Sequence, residues 1–312
     1  MIKIWKTILV GSREELMRFK GISFILIGSV FWGLTGPIME WIFGVTKITV
    51  PFLVTFRLIL SGILLLAFLF MMKKDIFAVW KSPSARMQLL LFGILGVLGL
   101  QYTFLGAIEA SNSVVATLFQ FSAPIIIVIY VSLKGKRWPR LNQVLGITGT
   151  LIGLFLLLTN GSLDSLSVSP RAILFGVALG LAYSFYTLYP TVLMRDWGII
   201  MILGWGMLIG GILVGIVTKV WNSNEWVYLA QKEVAILVIF LLIFGTMGYA
   251  FFLGSLNYIS AVEVSILSSV EPLTVMIISG LWFGTTLGSV QLAGVFLMLL
   301  FVIWLSLSGR KE

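Results

Sequence analysis

Cysteine and histidine are both absent from the 312 residues. Without thiols the chain has no disulfide framework and no thiolate metal site, and without imidazole it lacks the commonest proton shuttle and metal ligand. Proton chemistry therefore falls to carboxylates, which are scarce: Asp and Glu number 12, and charged residues of both signs make up only 11% of the chain. No Gly-x4-Gly-Lys-Ser/Thr element cradles a nucleotide phosphate. No paired intramembrane Asp and no Gly-x-Ser-x-Gly element supplies a nucleophile, so an enzyme is not expected, and neither a cofactor nor a metal is implied.

What abounds is apolar. With 59% hydrophobic residues and a mean hydropathy of +1.09, the chain cannot hide its surface inside a water-soluble globule, which makes it an integral membrane protein. The formal charge of +9 would suggest nucleic acid in a soluble domain. Here the basic residues sit in short connections between apolar runs, so they read as orientation signals and no nucleic-acid partner is expected.

A helix needs about twenty apolar residues to cross the hydrocarbon, and ten segments qualify: Gly21–Phe43, Val50–Met71, Met87–Ile108, Ser113–Leu133, Leu141–Thr159, Ala172–Leu193, Ile199–Thr218, Val234–Tyr258, Val262–Phe283 and Val290–Leu307. With the N-terminus inside, 16 Lys and Arg fall on the cytoplasmic side against 4 on the other, with Arg57 left within a span. Both termini are thus expected in the cytoplasm of a multi-pass plasma-membrane protein. The first twenty residues form no typical signal peptide. Ser12-Arg13-Glu14-Glu15 reads as a capping box opening a short amphipathic helix on the membrane surface.

The chain also repeats. Phe104-Leu105-Gly106 and Pro124 recur as Phe252-Leu253-Gly254 and Pro272, and Gln143 and Gly146 recur as Gln291 and Gly294, every pair 148 positions apart (252−104, 272−124). Five spans per copy is an odd number, so the second copy enters the membrane from the opposite side. The expected fold is an all-α integral membrane protein of ten transmembrane helices in two inverted five-helix repeats. Its divisions are residues 1–20 as a cytoplasmic segment, 21–160 as the first repeat and 171–308 as the second. A ligand site is expected where the halves meet near mid-bilayer.

These features resemble the EamA-type family of the drug/metabolite transporter superfamily. The matching residues are Trp32-Gly33, Arg57, the stretch from Ala107 to Pro124, Glu271-Pro272 and Gln291-x-x-Gly294, and the likeness runs from about Gly21 to Leu307. Members typically end the fourth and ninth spans with Gly-Glu, where this chain has Gly135-Lys136 and Gly284-Thr285. The resemblance implies a secondary transporter that moves small metabolites, often amino acids or related compounds, generally outward. Read from the residues alone, a secondary transporter is favoured over a channel or a non-transporting membrane scaffold.

Glu271 lies nine positions into the ninth span, about 14 Å deep by helical rise. Holding an ionised carboxylate there costs about 2.5–3.5 kcal/mol, which makes Glu271 the candidate to take a proton on one side and release it on the other. Its counterpart in the first half is Ala123. Pro124 and Pro272 lack the amide hydrogens that would bond the carbonyls of Gln120 and Ser268, so a kink with freed carbonyls is expected at each, and Gln120 and Ser268 are themselves expected at the substrate cavity. Arg57, about 10 Å inside its span, either pairs with a substrate carboxylate or Glu271, or snorkels outward. Trp32, Tyr102, Tyr183, Tyr186 and Tyr249 fall inside spans, some beside polar residues such as Gln101 and Ser184. They are the expected aromatic lining of a substrate cavity, with packing as the rival reading of each. Glycine series such as Gly146-Gly149-Gly153, Gly176-Gly180 and Gly206-Gly210 read as helix-packing faces.

Overall fold

A computed structural model describes residues 2–111, 113–162, 169–283 and 288–308, and among them it contains helices and no strand. The helices are α1 (Ile2–Val45), α2 (Val50–Met71), α3 (Pro83–Leu91), α4 (Gly99–Ala110), α5 (Ser113–Gln120), α6 (Ala123–Gly135) and α7 (Leu141–Thr159), then α8 (Pro170–Leu188), α9 (Thr191–Trp197), α10 (Ile199–Thr218), α11 (Lys232–Ser255), α12 (Ala261–Leu267), α13 (Val270–Phe283) and α14 (Ser289–Ser308). A π-helical stretch, Phe92–Leu98, fuses α3 to α4 into one long span.

Helix starts follow local chemistry. Pro170 and Pro51 each sit in the first turn of their helix, where a missing N–H leaves nothing unpaired. Ser169 caps α8 by accepting the Ala172 N–H at 3.1 Å. Ser260 and Glu263 form a reciprocal capping box at the start of α12. Lys136, Asn160 and Lys219 end their helices in the left-handed region.

Among the described residues, eight helices are long and apolar enough to span a membrane; the fifth and tenth expected spans survive as shorter apolar helices, Leu141–Leu157 and Ser289–Phe301. The N-terminal expectation is corrected. No helix begins at Ser12, because α1 runs unbroken from Ile2 into the first span; residues before the capping-box pattern are themselves helical, so no orphan N–H groups exist there for Ser12 to cap. The departure from the family pattern at Thr285 lies outside the described residues.

Large apolar side chains cover the outside, among them Leu64, Phe68, Leu174, Leu181, Ile243 and Phe296, all exposed. Lipid is the solvent such a surface fits. Because lipid tails are as apolar as leucine, helix association rests on close packing of small residues. α2 packs on α10, α7 on α14, α1 on α11 and α4 on α8, so every major contact joins the first half of the chain to the second. At the α7–α14 crossing, a Cβ on Gly153 would lie 2.9 Å from the Gly294 carbonyl, and one on Gly294 2.6 Å from the Gly153 carbonyl. Only glycines allow backbones that close.

The fourth and ninth expected spans are broken, not merely kinked. α5 gives way to α6 through a turn at residues 121–122, and α12 to α13 through one at residues 268–269. Pro124 sits in the first turn of α6 and Pro272 two residues after the start of α13. The Ser268 carbonyl expected to be free instead accepts the Glu271 N–H at 2.9 Å. Three serines tighten the end of α12, with Ser265, Ser268 and Ser269 hydroxyls each donating to a carbonyl three residues back.

Candidate functional site

The breaks and the crossing helices converge on a small central cavity of about 20 Å³, room for roughly one water. α1 supplies Trp32, Thr35 and Met39, which recur on one face at helical spacing. α2 supplies Arg57, α4 supplies Leu100, Gln101 and Phe104, α5 supplies Gln120, α11 supplies Tyr249 and α13 supplies Glu271. Five of the nine side chains singled out from sequence therefore line one cavity: Trp32, Arg57, Gln120, Tyr249 and Glu271.

Arg57 is 5% exposed and does not snorkel. Its Nη1 donates to the Met39 sulfur, a weak acceptor, at 2.9 Å and to the neutral amide oxygen Gln101 Oε1 at a long 3.4 Å. Gln101 turns its other end to Tyr249, its Nε2 donating to the phenolic oxygen. Glu271, 3% exposed, accepts from Gln120 Nε2 at 2.8 Å. No ion pair joins Arg57 to Glu271, although both face the same cavity. The site thus holds a buried cation and a buried acid, each held by amides and neither neutralised by the other. Such groups are costly unless a ligand or a proton completes them.

Behind the cavity stands an aromatic cluster. Trp32 stacks on Phe252 with centroids 4.9 Å apart and meets Tyr249 edge-on at 4.7 Å. Tyr183 and Tyr186 close on the same indole at 6.3 and 6.5 Å. Tyr183 donates to Ser268 Oγ at 3.2 Å, which ties the cluster to the α12–α13 break. Trp32 Nε1 and Tyr186 Oη are buried with no hydrogen-bond partner, each at a cost of about 1–3 kcal/mol. Tyr183, Tyr186 and Ser268 are therefore second-layer neighbours of the cavity walls. Tyr102 is placed elsewhere: one residue after Gln101, about 100° round the helix, it lines a separate vestibule of about 560 Å³ with Glu109, Arg171 and Glu225.

Sequence reasoning passed over the glycines that make the site possible. A Cβ on Gly245 would lie 2.7 Å from Arg57 Nη2, and one on Gly248 2.5 Å from Trp32 Cδ1, so α11 omits two side chains to seat the cation and the indole. It also noted Gln101 only as a polar neighbour. The signal for Gln101 was present, since it and Tyr249 are 148 positions apart, the offset of the repeat. A residue bonded to its own counterpart sits where the two halves meet.

On the opposite end of α1 from the Tyr102 vestibule, a second vestibule of about 330 Å³ is lined by Arg18, Arg137, Arg140, Gln143, Ser260 and Glu263, among others. An Arg18–Glu263 ion pair of 2.6 Å spans it. The small central cavity thus lies between the two vestibules along α1, with Arg18 at one, Trp32, Thr35 and Met39 at the cavity, and Thr49 just past the helix at the other.

The EamA-like transporter family matches residues 19–159 and 170–307. The chain is 34% identical over 295 residues to an uncharacterized inner membrane transporter, YicL, of Salmonella typhimurium (strain LT2), across 94% of this chain and 97% of that one. A solved crystal structure aligns with a TM-score of 0.67 over 96% of this chain and 98% of its own, at 16% identity. That likeness is one of fold alone.

Proposed function

Because the chain belongs to the EamA-like transporter family, we propose that this multi-pass membrane transporter is a secondary active exporter of small metabolites such as amino acids, working by alternating access. In this reading ten helices cross the bilayer as two inverted repeats, residues 21–160 and 171–308, with both termini in the cytoplasm. The central cavity is the substrate site. Arg57 takes a substrate carboxylate, the unpartnered Trp32 Nε1 takes an acceptor, and the aromatic cluster encloses the remainder. Glu271 carries a proton between the two sides.

One observation supports this reading above the others: a buried cation and a buried acid share one small cavity without pairing. A static core would gain by joining them or by replacing both with apolar groups. A transporter needs each group available to a different partner, substrate for one and proton for the other. At about 20 Å³ the cavity holds no more than a water's volume, so the halves must part to admit a metabolite.

Flux of an amino-acid panel through reconstituted protein, with and without an imposed pH gradient, tests the proposal. Gradient-driven flux is expected in the native chain. Glu271→Gln, which fixes the side chain in its neutral form, is expected to abolish it while leaving substrate exchange partly intact. Undiminished gradient-driven flux in Glu271→Gln would remove the proton role. Saturation kinetics failing for every member of the panel would remove the substrate class.

A further inference from the structure

The glycine of the repeated Phe-Leu-Gly element has the same neighbour in both copies. A Cβ on Gly106 would lie 2.6 Å from the ring of Phe175, and one on Gly254 would lie 3.0 Å from the ring of Phe24. Each ring carries a cation from one turn before it: Arg171 sits 5.6 Å over Phe175, and Lys20 sits 5.6 Å over Phe24. Phe24 and Phe175 are 151 positions apart, as are Lys20 and Arg171 (175−24, 171−20). The two family matches start at residues 19 and 170, the same offset. The element that binds each ring always comes from the other half, α8 onto α4 and α1 onto α11.

The two seats lie at opposite ends of the bundle. Gly106, Arg171 and Phe175 line the larger vestibule. Lys20 and Phe24 follow Arg18, which lines the smaller one, and Gly254 is the penultimate residue of α11. Between them, the first residue of the same repeated element faces inward: Phe104 lines the cavity and Phe252 stacks on Trp32.

We propose that Phe175 on Gly106 and Phe24 on Gly254 are the two gating contacts of transport, each closing one face, and that they release in alternation. The proposal rests on the alternating-access reading. A machine made from one duplicated unit needs two closures of matching design, so that neither face is held much more firmly than the other. A ring seated on a glycine suits that need, because it parts without leaving a buried hydrogen-bonding group unpaired. The cation above each ring adds a modest attraction that water replaces on opening. The two are not identical: Arg171 also pairs with Glu109 at 2.6 Å, whereas Lys20 also covers the ring of Tyr258 at 5.1 Å. That difference sets the bias between the two closed faces.

The cysteine-free chain makes the test direct. Thr35→Cys places one thiol on the cavity wall, and a membrane-impermeant thiol reagent is applied to one face at a time in vesicles of defined orientation. Phe175→Ala is expected to speed labelling several-fold from the Arg171 face only, and Phe24→Ala from the Lys20 face only. Gly106→Ala and Gly254→Ala, which keep each ring but push it off its seat, are expected to repeat those two results. Labelling rates that stay at the Thr35→Cys value, or that rise equally from both faces, overturn the gating assignment. A thiol that no face reaches in any background, while the protein still moves substrate, overturns the alternating-access route itself.

Discussion

A buried guanidinium resting on a thioether and an amide oxygen is poorly satisfied, and Arg57 is held there by space as much as by bonds. Gly245 provides that space. A methyl group at position 245 would meet Arg57 Nη2 at 2.7 Å, well inside van der Waals contact, and the flexible end of the arginine would yield. Gly245→Ala is therefore expected to raise KM about tenfold for carboxylated substrates, roughly 1.4 kcal/mol, with less than about 1 kcal/mol lost in stability. Gly248→Ala meets a rigid indole already stacked on Phe252, so its expected effect is a stability loss of about 1–3 kcal/mol. Substrate titration of flux and thermal unfolding in detergent separate the two. If both variants lose stability alike, the 245 position is ordinary packing. Arg57, Glu271 and Trp32 were legible in the sequence because a charge or indole amid apolar residues is conspicuous and, for the charges, expensive. Gln101 was not, because a single amide carries no such penalty, and Tyr102 lines a different vestibule from Gln101 because one residue of helical rotation separates the two cavities.

At the scale of elements, the sequence marked where spans four and nine depart from ideal helices but not how far. A proline signals one missing hydrogen bond; the two-residue turn at 268–269 also needs the serine hydroxyls that bond back to α12 and the Glu271 N–H that takes the Ser268 carbonyl. Those are cooperative choices of the folded chain and have no one-residue signature. The capping-box pattern at Ser12 misled for the complementary reason, since a cap matters only where a helix begins. The break holds Glu271 at the first turn of α13, close to the Ser268 hydroxyl that Tyr183 engages. Pro272→Ala restores one backbone donor and lets α12 and α13 approach a continuous helix. The expected result is a rise in Tm of a few degrees together with a fall in kcat, with KM changed less than kcat, because stability is gained where the cycle needs bending. A variant with unchanged turnover would show that the break positions Glu271 without moving.

For the whole molecule, the duplication was legible because it preserved spacing, and the pairing of halves was not, because no single-chain pattern says which helices touch. The proposed orientation of the bundle is supported by where the cations lie. Arg18, Arg137 and Arg140 line the smaller vestibule, with Lys134 and Lys136 alongside in the chain; Arg171 and Lys219 line the larger one. These five lining residues fall on the sides that the expected 16-to-4 division assigns them, and an excess of Lys and Arg in short loops remains on the cytoplasmic side during insertion, so the smaller vestibule is the one proposed to face the cytoplasm. Trp138, 94% exposed beside the smaller vestibule, and Lys47, exposed between α1 and α2, are then markers of opposite faces. In the cysteine-free background, Trp138→Cys is expected to resist an impermeant thiol reagent added to intact cells and to react after the membrane is opened, while Lys47→Cys reacts in intact cells. The reverse pattern would invert the orientation and turn the larger vestibule toward the cytoplasm. Reaction of both thiols in intact cells would remove one span from the count, since the three crossings expected between positions 47 and 138 would have to become an even number.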